Sequence, residues 1–179
     1  MEEKIIVVDQ NDLELFHLPK LEAHQKGVLH RAVSIFIFNS NQEILLQKRA
    51  SSKYHSGGLW SNTCCSHPRP GEDTDVAAHR RLKEEMGLKA KLTKAFTFQY
   101  KALLGGGLIE NELDHVFVGF SDSLPKLNPK EVEDYKYLTP KRLQLAFKKN
   151  SNDYTIWLKN CFNELMNYMS KNNSYAKII

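Results

Sequence analysis

Two long runs on either side of Gly105, Gly106 and Gly107, Lys94 to Leu104 and Leu108 to Phe120, constrain the fold more than any other stretch of the chain. They read as a pair of long antiparallel strands that reverse at the glycines. Counting outward from Gly106 sets Tyr100 opposite Glu112 and Ala102 opposite Glu110. Glu110 and Glu112 then share one face of their strand, with Asn111 on the other.

The remaining elements fit around that ribbon. Lys4 to Asp9 (KIIVVD), closed by the turn-prone Asp9, Asn11 and Asp12, reads as a strand at a sheet edge. Ala32 to Phe38 and Glu43 to Arg49, joined by NSNQ, read as a β-hairpin, and Glu131 to Leu138 as one more strand. His17 to Arg31 contains Pro19 and Gly27 and has no clean period, so it reads as a long connecting loop of the kind that carries function. Helices are expected over Thr74 to Met86, over Thr139 to Lys149 with Thr139 as N-cap and Pro140 at the first position, and along the apolar stripe from Tyr154 to Met169. The tail from Ser170 to Ile179 reads as loosely held. Hairpins with few helices between them imply an α/β (α+β) class, a mixed sheet flanked by helices.

Neither a repeat nor a long linker interrupts the 179 residues, so one domain spanning 1–179 is expected. A net charge of +4 spread over well-mixed acidic and basic residues gives no footprint for nucleic acid. No segment approaches the roughly 20 apolar residues of a membrane span, and the acidic start lacks the basic flank of a signal peptide. A cytoplasmic location with no membrane partner is the expectation. Cys64, Cys65 and Cys161 are an odd set with two neighbours, so they are free thiols or ligands rather than a disulfide framework.

The chemistry concentrates in Leu59 to Leu88, LWSNTCCSHPRPGEDTDVAAHRRLKEEMGL. If Cys65 and His67 lie on a strand they share a face, with Cys64 pointing away. His24, His30 and His67 with Glu110 and Glu112 make an inventory of three nitrogens and two carboxylates, suited to a five- or six-coordinate divalent ion. A strand with alternating glutamates is otherwise simply wet on one side. His17, His55, His79 and His115 read as ordinary surface or core residues. On the helix, Arg81 and Glu85 flank the buried face while Arg80 and Glu84 lie opposite. That makes Arg81 and Glu85 either a surface salt bridge or a cation and an anion aimed into a site.

The same segment resembles the Nudix box through Glu72, Arg80, Leu82, Glu84, Glu85, Gly87 and Leu88. Ser66 replaces the opening Gly, and Arg81 stands where a hydrolase has a metal-binding Glu. Trading that carboxylate for a cation favours gripping phosphate over attacking it with water. More specifically, KLEAHQKGVLHRA, QKRASSKYHSGGLWSNTCCSHPRPGE, RRLKEEMG and IENELDHVF resemble the type 1 isopentenyl-diphosphate isomerases, which have the Nudix fold.

By that resemblance Cys65 and Glu112 are the catalytic pair, Tyr100 supports proton transfer, and Trp157 covers the reacting carbons, although Ile156 replaces the Pro that often precedes it. His24, His30, His67, Glu110 and Glu112 match a divalent-metal site for manganese, zinc or magnesium. Glu85 matches a ligand of magnesium on the substrate diphosphate, and Lys20, Arg49, Lys53 and Arg81 its cationic grip. No flavin is implied, and a monomer or weak homodimer is expected. Glu112 is assigned to proton delivery and Cys65, as a thiolate favoured by nearby cations, to removal, with the reverse division left open. A Nudix hydrolase and a metal-bound module without turnover are the alternatives.

Overall fold

The structure of the chain, a computed structural model, describes residues 3–172. At the centre of its nine-stranded sheet is β3 (His30–Phe38), which runs parallel to β8 (Ile109–Phe120) with His30 facing Glu112 and Phe38 facing Phe120. Every other pairing between the described strands is antiparallel, and Trp60 also makes an isolated parallel bridge to Tyr154. On β8 lies β7 (Leu92–Leu103), with Tyr100 opposite Glu112 and Ala102 opposite Glu110 as the glycine turn requires.

The other edge of β3 is shared. It pairs with β1 (Lys4–Val8) at His30, with β6 (Cys64–Ser66) over Val33 to Ile35, and with β4 (Ile44–Arg49) at Phe38 alone. The expected hairpin therefore parts after its turn, and β4 takes β9 (Val132–Leu138) and the short β5 (Trp60–Ser61) as neighbours.

Two further expectations are corrected. β1 is not an edge, because β2 (Glu14–Pro19) pairs along its outer side. The segment from His17 to Arg31 is not a loop but the end of β2, helix α1 (Lys20–Lys26) and the start of β3. Pro19 precedes the first turn of α1, and Gly27, at φ 60°, closes it in the left-handed conformation. The two breakers bound a helix too short to reveal a period.

Helix α2 (Thr74–Met86) has the expected limits. Its Ala77, Ala78, Leu82 and Met86 pack on Val33, Ile35 and Ile37 of β3 and Phe117 of β8. The alternate β3 residues Phe36 and Phe38, with Val116 and Val118, face Leu143 of α3 (Pro140–Lys149) and Leu158, Phe162 and Leu165 of α4 (Ile156–Lys171). A sheet covered on both faces explains why AVSIFIF is apolar without alternation. Thr139 caps α3 by accepting from the Arg142 amide at 3.3 Å. Ser170 and Lys171 belong to the end of α4 rather than to a loose tail, and residues 173–179 lie outside the described residues. No helix among the described residues is long and apolar enough to cross a membrane.

Candidate active site

On the α4 side of the sheet the apolar core reaches Val116, and the next residues in phase along β8, Asp114, Glu112 and Glu110, are buried carboxyl groups. Three imidazoles meet them: His24 from α1, His30 opposite Glu112 in the ladder, and His67 from just beyond β6. Nδ1 of His24 lies 2.7 Å from the Lys20 carbonyl and Nδ1 of His30 lies 2.9 Å from that of Val28. Donation there leaves both Nε2 atoms as lone-pair donors. His24 Nε2 is 3.3 Å from Glu110 Oε2, while His30 and His67 Nε2 stand 3.6 and 2.9 Å from Glu112 Oε1.

The ligand atoms of His24, His30, His67 and Glu112 lie within 4.8 Å of one another, and Glu110 joins them through His24. Nε2 of His24 and His30 and Oε2 of Glu110 are buried without a hydrogen-bond partner. Such orphaned lone pairs are costly unless a cation satisfies them, so these residues fit a divalent ion held by nitrogen and oxygen. Burial opposes charge on Glu112, but hydrogen bonds with His30 and His67 outweigh it and hold its pKa well below the usual range. Burial and the neighbouring Glu112 push Glu110 upward. Tyr100 donates to Glu112 Oε2 at 2.6 Å, and burial followed by that carboxylate keeps its phenol protonated.

A pocket opens onto this cluster, lined by Cys65, Tyr100, Glu110, Glu112 and Trp157 together with the expected cations Lys20, Arg49, Lys53 and Arg81. Cys65 faces it because it pairs with Ser34, whereas Cys64, opposite Ile35, points into the core under α2. The Cys65 thiol lies 3.6 Å from Arg49 Nη1 and 3.7 Å from Ser61 Oγ. The expected thiolate is not what this environment favours. Burial outweighs Arg49 and lifts the thiol to about 11, so at neutral pH Cys65 carries its proton.

Arg49 is committed inward, donating to the carbonyls of Ser56 at 3.2 Å and His55 at 3.3 Å and standing 5.1 Å from the centre of the Trp157 ring. Trp157 donates from Nε1 to Ser61 Oγ at 2.8 Å, which fixes the indole in the wall. Lys53 is paired with Glu131, which also lies 3.4 Å from Arg81, and Lys20 is 3.3 Å from Glu3. Arg81 binds Glu85 at 2.5 Å, and Gln47 donates to the other Glu85 oxygen at 2.9 Å. Glu85 therefore stands behind Arg81, apart from the imidazole cluster. Glu72 and Arg80 of the box are a staple. Arg80 reaches both Glu72 oxygens at 2.6 and 2.7 Å and ties the preceding turn to α2.

Two groups in the chamber escaped the sequence reading. Asp114 continues the Glu110 and Glu112 alternation, a signal that was there to use. It accepts from Ser34 Oγ at 2.7 Å, and burial followed by the neighbouring Glu112 pushes its pKa well up. His55, from the loop between β4 and β5, lines the pocket with Nε2 3.5 Å from Glu110 Oε1. No periodicity marks it. His17 and His115 behave as ordinary residues, 2.7 Å from Glu14 and 3.0 Å from Asp12.

A mixed sheet between helices, with the Glu72 to Leu88 box on one flank, defines a NUDIX domain, and residues 28–158 match the family model of that name. Among solved structures, the DR0079 protein of Deinococcus radiodurans is similar with a TM-score of 0.76 at 17% identity, over 90% of this chain and 98% of that one. A MutT protein from Methanosarcina mazei gives 0.65 at 17% identity, over 80% and 95%. At that identity they speak to the fold alone.

Sequence relatives narrow the assignment. The chain is 49% identical over 176 residues to isopentenyl-diphosphate Delta-isomerase 2 of Aromatoleum aromaticum, covering 98% of this chain and 93% of the relative. It is 50% identical over 165 residues to the isopentenyl-diphosphate Delta-isomerase of Pectobacterium atrosepticum, covering 92% of each. The chain belongs to the isopentenyl-diphosphate Delta-isomerase family.

Proposed function

We propose that this chain moves the double bond of isopentenyl diphosphate to give dimethylallyl diphosphate, a step of isoprenoid biosynthesis. The observation that carries the reading is one pocket walled by a thiol, a tyrosine-supported carboxylate and an indole beside four cations suited to a diphosphate. The rearrangement adds a proton at the terminal methylene and removes one two carbons away, so an acid and a base must flank the allylic unit.

In the resting site Cys65 holds a proton and Glu112 lacks one. From that state Cys65 donates and Glu112 accepts, the reverse of the division expected from the sequence. The two assignments differ in which group faces the terminal methylene and which the carbon two away, and both groups are required in either. Tyr100 steadies the Glu112 carboxylate by its hydrogen bond. The fixed Trp157 ring offers a cation–π contact of about 2 kcal/mol to the tertiary cation formed on protonation.

His24, His30, His67, Glu110 and Glu112 are the residues that would hold a divalent ion such as manganese, zinc or magnesium. Bound there, it supplies the positive charge that lets two adjacent buried carboxylates stay ionised. By the family resemblance Glu85 would hold a magnesium ion on the diphosphate, and Lys20, Lys53 and Arg81 would grip its oxygens, with Arg49 shaping the loop beside them.

Incubation with isopentenyl diphosphate in heavy water tests the reading. Deuterium in an allylic product that keeps its diphosphate is the expected result. Release of phosphate without allylic product would replace the isomerase with a hydrolase, and no turnover would leave a binding module. For the grip, Arg81→Glu is expected to raise the Kd of inorganic diphosphate, measured by calorimetry with magnesium, about 10- to 100-fold. That follows from losing a charge-assisted hydrogen bond worth about 1.5–3 kcal/mol. Unchanged affinity would remove Arg81 from the grip.

A further inference from the structure

We propose that His55 is a fourth imidazole of the metal centre, completing a six-donor set with His24, His30, His67, Glu110 and Glu112. The proposal rests on the metal-centre reading above and deepens it. The His55 side chain is only 6% exposed, and its Nε2 lies 3.5 Å from Glu110 Oε1, while His24 Nε2 lies 3.3 Å from Oε2 of the same carboxylate. The ligand atoms of His24, His55 and Glu110 lie within 4.8 Å of one another, as those of His24, His30, His67 and Glu112 do.

His24 decides whether these overlapping sets are one site or two. Its Nδ1 donates to the Lys20 carbonyl, so one lone pair remains, on Nε2, and His24 is a member of both sets. One lone pair binds one ion. The two sets cannot then hold two ions at once through His24, and the proposal joins them into one centre at the unpartnered His24 Nε2 and Glu110 Oε2. His24 and His55 approach different oxygens of Glu110, at 3.3 and 3.5 Å, so the two imidazoles flank one carboxylate. Four imidazoles among six donors favour transition ions over magnesium, which prefers oxygen.

The loop is built to present this ring. Arg49 holds the carbonyls of His55 and Ser56, and a Cβ at Gly57 would come within 2.8 Å of the Ser51 carbonyl oxygen, so only glycine fits there. Tyr54 and Trp157 pack edge-on at 4.4 and 6.1 Å from the imidazole centre and fix its plane. Nδ1 lies 3.4 Å from Ser56 Oγ, an oxygen that can accept from it, and in that tautomer the lone pair is on Nε2.

Cobalt(II) is the probe, because its anomalous scattering and visible bands report coordination without turnover. Crystals of the full chain grown with cobalt(II) are expected to put one ion within about 2.3 Å of Nε2 of both His24 and His55. In solution, His55→Phe keeps a ring against Tyr54 and Trp157 but removes both nitrogens. It is expected to weaken cobalt affinity at least about tenfold and to change the visible spectrum. An ion on the other five residues with His55 left outside bonding distance, or a His55→Phe protein with wild-type spectrum and affinity, overturns the assignment and leaves the metal centre standing. A wild-type chain that takes up no cobalt overturns both.

Discussion

A Cys65→Ala chain is expected to isomerise isopentenyl diphosphate about 10²- to 10⁴-fold more slowly, the range for losing a positioned acid or base, while folding normally. The fold survives because Cys64, not Cys65, packs the core under α2. Cys65 makes only the long contacts to Arg49 and Ser61, at 3.6 and 3.7 Å, so their loss costs about 1 kcal/mol. Product formation followed by NMR and a thermal unfolding curve separate the two effects. Turnover within tenfold of wild type would end the role given to Cys65.

Its protonation state is tested separately. An ordinary thiol becomes reactive to iodoacetamide through a pH near about 8.5. Cys65, held up to about 11 by burial, should react mainly above that range, and Cys64 and Cys161, buried in the two cores, should not compete. A midpoint near that of a free thiol would show that burial does not hold the thiol up, and only one below neutral pH would restore the thiolate and with it the opposite assignment of proton transfer.

Local chemistry was legible wherever the relevant neighbours lie on one element or across one tight turn. The glycine turn fixed Tyr100 opposite Glu112, the two-residue period separated Cys65 from Cys64, and α2 ran between its expected limits. The imidazoles and carboxylates named from inventory meet in one chamber because β3 and β8 run parallel, which sets His30 beside Glu112. That pairing joins residues some eighty positions apart, and no local pattern reports it. The same non-local contact claims one edge of β3, so the hairpin with β4 holds at Phe38 alone.

The misses have related causes. Pro19 and Gly27 are breakers in the sequence, but around a seven-residue helix they act as its two ends. His55 sits in a loop whose shape depends on Arg49 reaching its carbonyls, a side-chain interaction that leaves no period. The protonated state of Cys65 was missed because counting nearby cations says nothing about burial, and here burial is the larger effect.

The most severe single substitution is expected to be Glu112→Gln, with isomerase turnover down about 10⁴-fold or more, beyond the loss of one proton acceptor alone. Glu112 is at once the carboxylate that Tyr100 steadies, the acceptor beside His30 and His67, and a member of the donor set, and residues that act as a unit fail together. Glutamine keeps the shape, so the sheet should form, and stability should change with pH in a definite direction. The folded pKa of Glu112 lies below its unfolded value, so its ionised form contributes stability above the unfolded pKa of about 4.5 and loses it as pH falls through the folded one. Glu110 has the opposite shift, caused by burial and by Glu112, and its cost appears as pH rises above the unfolded value. Removing Glu112 deletes the first contribution and relieves the second. Urea unfolding of the metal-free proteins should therefore show the variant losing less stability than wild type as pH falls below about 4.5, where Glu110 no longer contributes. Equal losses in the two proteins, or turnover within tenfold of wild type, would show that Glu112 is neither the ionised partner of His30 and His67 nor one half of the catalytic pair.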